Sequence, residues 1–219
     1  MFPDLTSDDI FRIETRRLWM RWPRAADAAA ITAFASLPEA AQMTAAIPHP
    51  YPPGEAERFI LRSRADNANK KALVLALTQK SGVRTMMGLI SASVSEAQDI
   101  ELGYVLAPAF WGKGLATEAV KAFIDIIFGV TGTARIHANS RVINPASRRV
   151  LEKSGFVYVD TGLDYLAARG GLYPCDRFEL DRKTWNLRRG ARILPPMVHQ
   201  NHDANQQAEL DELAASPEA

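Results

Sequence analysis

The segment Gly112-Lys113-Gly114-Leu115-Ala116-Thr117 lies between an apolar run, Glu101 to Leu106, and an amphipathic one that begins at Thr117. A glycine loop between a strand and a helix is suited to an anion. Glycines let the backbone turn at little steric cost and bring N–H groups close to a ligand, and the positive end of the following helix dipole points at the same spot. The chemistry predicted here is the capture of a phosphate or pyrophosphate. Two stricter loops fail on spacing. A nucleoside-triphosphate loop needs Lys and then Ser or Thr after its second glycine, but Lys113 stands between the glycines and Gly114 leads to Leu115. A dinucleotide fingerprint needs Gly or Ala where the chain has Thr117.

The elements that must position this loop follow from periodicity and breakers. Ile13 to Trp22 reads as a strand, and Asp27 to Leu37 as an alanine-rich helix with Ile31, Phe34 and Leu37 at helical spacing, ended by Pro38. The proline-rich Ile47 to Gly54 breaks helical structure before a second helix, Glu55 to Ala68, with Phe59 and Ile60 inward. Ala72 to Thr78, Thr85 to Val94 and Ile100 to Leu106 read as consecutive antiparallel strands. The helix after the loop places Val120, Phe123, Ile124 and Ile127 on one face and closes at Gly129. Arg135 to Val142 reads as a strand. Asn144-Pro145 starts a helix, with Asn as cap and Pro at the first position, and Ser154-Gly155 ends it. Phe156 to Thr161 and Arg177 to Leu180 supply the last strands, joined by a loop from Leu163 to Asp176. The reading is one domain, residues 1–188, followed by a flexible tail, 189–219, in which the apolar pattern fades.

Composition narrows the function. A chain of 219 residues, 47% of them hydrophobic, can bury a substantial core. A net charge of +1 gives no broad basic field, which argues against nucleic acid as a direct partner. Cys175 is the only cysteine, which rules out an intrachain disulfide and any multi-thiolate site. No apolar run is long enough for a membrane span, so a cytoplasmic protein is expected. His49, His137, His199 and His202 are not spaced as a metal set, so no metal is expected.

Four segments taken in order resemble the GCN5-related N-acetyltransferase family, and within it the branch of ribosomal-protein alanine N-acetyltransferases. They are Thr15 to Arg21, Ala26 to Ala28, Glu101 to Ala119 and Asn144 to Phe156. The resemblance implies a mixed α/β (α+β) fold: a mostly antiparallel sheet flanked by helices, with a splayed strand pair that holds acetyl-CoA. It implies that Tyr104, Val105, Leu106 and Trp111 lie along the coenzyme, and that main-chain N–H groups of Gly112, Lys113, Gly114, Leu115, Ala116 and Thr117 grip its pyrophosphate. Trp111 departs from the wider family pattern, which often has Gln or Arg there. An oxyanion donor is implied near Val105, a general base at Glu101, a pantetheine contact at Asn144, and an acid close to the sulfur at Ser147.

Each assignment has a plainer alternative. Glu101 could be a surface strand residue or pair with an arginine, Asn144 could serve only as a cap, and Ser147 could bond only within its own turn. Tyr158 and Tyr165 are alternative phenol donors or amphipathic packing. Trp111 reads as a packing anchor, and Lys113 either screens phosphate or faces water. The implied function is direct transfer of acetyl from acetyl-CoA to a primary amine, either a protein N-terminal amine or a small molecule. A noncatalytic acyl-CoA sensor is the alternative. Direct transfer needs a base for the amine, a donor for the oxyanion and an acid for the thiolate. A homodimer is compatible with this reading.

Overall fold

A computed structural model describes residues 12–82, 84–94 and 99–189. The tail expected from 189 and the pair His199 and His202 lie outside the described residues, apart from Arg189, which belongs to a helix.

The first expected strand is two. Thr15 breaks it into β1 (Arg12–Glu14) and β2 (Leu18–Arg21). Its hydroxyl accepts the Leu18 N–H at 3.0 Å while its own N–H donates to Leu18 O at 2.9 Å, which closes a tight turn. Helix α1 (Ala28–Ala35) follows, and Pro38, read as a stop, is also the first residue of a short helix, α2 (Pro38–Gln42), where its missing N–H costs nothing. Helix α3 (Glu55–Ala68) matches its expected bounds; Ile60 is buried and Phe59 half-buried. Strands β3 (Ala72–Gln79), β4 (Met86–Val94) and β5 (Ile100–Leu106) form the anticipated meander.

Helix α4 (Leu115–Val130) begins directly after Gly114 and buries Val120, Phe123, Ile124 and Ile127. Gly129 lies within it rather than closing it. The end comes at Thr131, whose hydroxyl donates to Ile127 O at 2.7 Å. β6 (Arg135–Arg141) leads to α5 (Pro145–Ser154), which stops at Gly155 with φ 105°, a left-handed value suited to glycine. The expected loop from Leu163 to Asp176 is a correction: β7 (Val157–Leu166) and β8 (Gly171–Asp181) make one long hairpin, turned at Ala167–Arg169. Leu163, Tyr165 and Leu172 remain exposed on it, so the alternation that marks a half-buried strand is blurred there. Helix α6 (Arg182–Arg189) ends the described chain.

The eight strands form one sheet in the order β1-β2-β3-β4-β5-β6-β8-β7, antiparallel throughout except for β5 and β6. One face packs α4, α5 and Trp185 of α6 around Phe123, Phe128 and Phe178; the other packs α1 and α3 around Phe34, Ile60 and Ala76. Two side-chain devices complete the frame. Continuing the β2–β3 register would set Val74 against Pro23, which has no N–H to offer. Asn67 of α3 takes that place, donating to Val74 O at 2.9 Å and accepting its N–H at 2.7 Å. The β1–β2 turn is bound to α4 by Glu118, which accepts Thr15 Oγ1 at 2.6 Å, Arg17 N–H at 2.8 Å and Arg17 Nε at 2.6 Å. Burial alone would raise the Glu118 carboxyl, but these hydrogen bonds from Thr15 and Arg17 outweigh it and hold the pKa below its ordinary value.

Asn67→Ala strands two buried main-chain groups, and is expected to lower the unfolding free energy by about 2–4 kcal/mol. Urea denaturation reads this directly, and a loss under about 0.5 kcal/mol would refute the account. A depressed folded pKa gives stability that is present above the unfolded value and lost as pH falls through the folded one. Wild type is therefore expected to lose more stability than Glu118→Gln between about pH 6 and about pH 3. Parallel acid limbs for the two proteins would contradict this.

Candidate active site

The parallel ladder between β5 and β6 is short, with only Ile100 opposite Ile136 and Glu101 opposite His137. Beyond that point each strand follows its other neighbour, β5 to Leu106 on β4 and β6 to Arg141 on β8, and the two part. The Ala107 N–H donates to Met87 O at 2.8 Å, which sets the alternation: Gly103, Val105 and Ala107 bond toward β4, while Tyr104 and Leu106 turn their main-chain groups into the opening. The Val105 amide belongs to the ladder with Leu89, and the amides facing the gap are those of Tyr104 and Leu106.

The glycine loop stands at the end of this opening. Gly112 and Gly114 have φ of 74° and 71°, so both need the left-handed region. The Arg17 guanidinium, held on Glu118, donates to Lys113 O at 2.9 Å and ties the loop down beside the first turn of α4. Trp111 anchors the entry by its indole N–H, 2.7 Å from Leu106 O, although 43% of the residue is exposed. Lys113 is exposed, and its ammonium donates to Ala109 O at 2.8 Å, 5.5 Å from the centre of the Phe110 ring.

Tyr104 and Ser147 meet at the side of the opening, phenol to hydroxyl at 2.8 Å. Burial pushes the Tyr104 phenol up to about 12, with the Ser147 hydrogen bond acting the other way, so the phenol keeps its proton at neutral pH. Asn144 is the cap of α5, accepting Ser147 N–H at 3.0 Å, and its amide also donates to Met43 O at 3.3 Å. It lines the cleft with both amide groups engaged. Glu101 is exposed on the α1/α3 face of β5, between Ser93 and His137 in register. Among the described residues its carboxylate makes no hydrogen bond or ion pair, so the arginine partner considered for it is not found. Tyr158 bonds Thr161 at 2.8 Å and meets the Phe178 ring edge to face, while Tyr165, 65% exposed, borders the cleft.

The cleft has a volume of about 1400 Å³ and runs through the sheet from the glycine loop, past Tyr104, to a wall of Phe34, Ile47, Tyr51 and Phe59. This is larger than an ordinary single-ligand pocket and has room for two substrates. Sequence reasoning missed how it is spanned. Arg141 donates to Gln42 O at 2.7 Å, Arg169 donates to Ala41 O and Thr44 O, and Asn144 reaches Met43 O, so the carbonyl end of α2 is tied across to the far half of the sheet. Nothing local in the sequence pairs position 41 with 169. Tyr104 has a buried phenol paired with Ser147 in the cleft, and its position in the coenzyme-like segment was the available signal for it. The described residues hold no group of three or more His, Cys, Asp or Glu arranged for a metal, and no helix among them is long and apolar enough to cross a membrane.

Comparison with known proteins agrees with this geometry. FsC-acetyl coenzyme A-N(2)-transacetylase of Aspergillus fumigatus is 30% identical over 87 residues, 39% of this chain but only 37% of that relative's length. Among solved structures, RimJ of Mycobacterium smegmatis in complex with CoA-disulfide superposes with a TM-score of 0.68 at 20% identity, covering 88% of this chain and 98% of that one. The ribosomal-protein-S5-alanine acetyltransferase of Vibrio fischeri gives 0.67 at 22% identity, covering 80% and 98%. These two likenesses establish the fold. The sequence profile described as the acetyltransferase (GNAT) domain matches residues 17–157, well over half of the chain. The protein therefore belongs to the GNAT acetyltransferase family.

Proposed function

We propose that the chain is an acetyl-CoA-dependent N-acetyltransferase that moves acetyl directly to a primary amine, with a protein N-terminal amine favoured over a small molecule. The observation that carries the reading is the parting of β5 from β6 beside the N-terminus of α4, with a phenol and a hydroxyl paired at 2.8 Å along it. The amides from Gly112 to Thr117 would take the diphosphate, and the main-chain groups of Tyr104 and Leu106 the pantetheine and the thioester oxygen. Asn144 would face the pantetheine mainly as the residue that fixes the start of α5.

The acceptor enters from the other face. Glu101 is on that face, free of ion-pair partners among the described residues, and is the base for the amine, directly or through water. As the tetrahedral carbon collapses, the C–S bond breaks and the thiolate accepts a hydrogen bond from the Tyr104 phenol, whose oxygen can accept one from the Ser147 hydroxyl. On the acceptor-side face of β6 and β8, Asn139 is exposed and His137, Arg177 and Glu179 are half-buried. That leaves room for a polypeptide beyond its terminal amine. The name of the Vibrio fischeri neighbour, an acetyltransferase of a ribosomal protein's alanine, supports the same choice.

Release of free thiol from acetyl-CoA in the presence of peptides and small amines tests the proposal. Glu101→Gln is expected to lower kcat/KM by about 10²-fold or more with acetyl-CoA binding unchanged. Tyr104→Phe is expected to lower kcat by about tenfold or more, with the acetyl-CoA Kd within about threefold of wild type. Unchanged turnover in both variants would remove these two assignments. Tight binding without turnover on any amine would favour a sensor instead.

A further inference from the structure

On the α1/α3 side, the opening of the cleft has an apolar floor and an apolar wall. Leu89 and Val105, opposite each other in the β4–β5 ladder, make the floor, and Phe34, Ile47, Tyr51 and Phe59 make the wall. Val105 stands between Tyr104 and Leu106, whose amides face the gap, so this surface starts one residue, about 3.3 Å, from the donors proposed for the thioester oxygen. It is also preformed. Phe34, Ile60 and Ala76 form the buried core behind it, on which the other five side chains of floor and wall are packed. Apart from Phe34, each of those side chains is only half-buried and so presents apolar surface to the occupant of the cleft.

Charge on this side of the cleft is already paired. Among the described residues three acids line the cleft: Glu55, Glu101 and Asp164. Glu55 is held by Arg62 at 2.6 Å and Arg58 at 2.9 Å, and Asp164 by Arg177 at 2.6 Å. Arg141 donates to Gln42 O and lies over the Tyr173 ring. Burial, and after it the charge of Glu55, raises the Tyr51 phenol, so the wall itself is neutral. Glu101 is left for the amine. A Lys or Asp side chain set against the wall would leave water without gaining a partner, which is costly. An alanine methyl would leave most of the wall wet, whereas a large apolar side chain covers it and gains by leaving water.

We infer that this floor and wall form the subsite for a large apolar side chain carried next to the reacting amine, so that the acceptor is a polypeptide whose first residue is aromatic or long and aliphatic. The inference rests on the reading of the cleft as the seat of acetyl transfer to an amine, and narrows it to one class of acceptor.

Initial rates of thiol release from acetyl-CoA, with tetrapeptides that differ in one residue, test it. A peptide with Phe or Leu first and Ala elsewhere is expected to exceed tetra-alanine in kcat/KM by about tenfold or more, and one with Lys or Asp first to fall below it. Moving the Phe to the second position should abolish the gain. Phe59→Ala and Ile47→Ser should each lower the gain about threefold or more, with the acetyl-CoA Kd within about threefold of wild type. Phe59→Ala also removes packing from α3, so Ile47→Ser, in the loop before that helix, is the independent variant. Leu61→Ala, two residues from Phe59 but 69% exposed and outside the cleft, should keep the wild-type gain. A gain that is absent in wild type, equal from the second position, kept in both variants, or lost equally in Leu61→Ala overturns the inference and leaves acetyl transfer standing. Faster turnover of 2-phenylethylamine than of the Phe-first peptide overturns the polypeptide acceptor and keeps the subsite. No turnover of any amine overturns both the inference and the activity it rests on.

Discussion

The early end of the β5–β6 ladder is the constraint on which the rest depends. Main-chain N–H and C=O groups in a sheet interior are normally paired, and leaving them unpaired away from water is costly. Here two adjacent strands stop bonding after Glu101 and His137 while each remains bonded to its outer neighbour. The sheet thus keeps its continuity and still exposes a short row of donors and acceptors to a ligand. A pantetheine arm, with its own amides, is matched to such a gap. The same opening brings the Tyr104 phenol and the start of α5 to its edge and leads out to the loop before α4.

A gap in a sheet has to be held by something other than the sheet. On the coenzyme side, Glu118 gathers the β1–β2 turn and, through Arg17, the carbonyl of Lys113, so that the glycine loop is bonded to the far edge of the sheet. The clamp needs an ionised carboxylate, and its hydrogen bonds keep it ionised despite partial burial. On the acceptor side, Arg141, Arg169 and Asn144 donate to carbonyls at and just beyond the end of α2, where unpaired C=O groups and the negative end of the helix dipole favour cationic donors. The guanidinium of Arg169 is itself disfavoured by burial and by the charge of Arg141, so carbonyl contacts compensate where no carboxylate does. The cleft is bridged at both ends and stays open between them.

The two faces of β5 present different groups. Alternation along the strand sends Tyr104 and Leu106 toward α4 and α5, and Glu101 and Val105 toward α1 and α3. Glu101 and the Tyr104–Ser147 pair therefore lie on opposite faces of one strand.

Much of this was legible in the chain by itself. Helical and strand periodicities placed α3, α4, α5 and the β3–β5 meander, because those segments bury one regular face. The Gly112 and Gly114 pair marked the loop, because only glycine adopts its left-handed angles cheaply, and Asn144-Pro145 marked a helix start by cap chemistry. What escaped depended on partners distant in sequence. The β7–β8 hairpin has apolar residues that face no core, so its pattern resembled a loop. The turn at Thr15, the bond of Asn67 to Val74, the clamp of Glu118 on Arg17 and the tie from Arg169 to Ala41 arise only when the folded chain brings their atoms together. That the amides of Tyr104 and Leu106, and not that of Val105, face the gap follows from ladder register, and that the Tyr104 phenol meets Ser147 follows from burial beside α5. Local sequence determines backbone propensity and which face is apolar. Hydrogen-bond direction and side-chain pairing across the sheet belong to tertiary structure, because they depend on distances that no single segment contains.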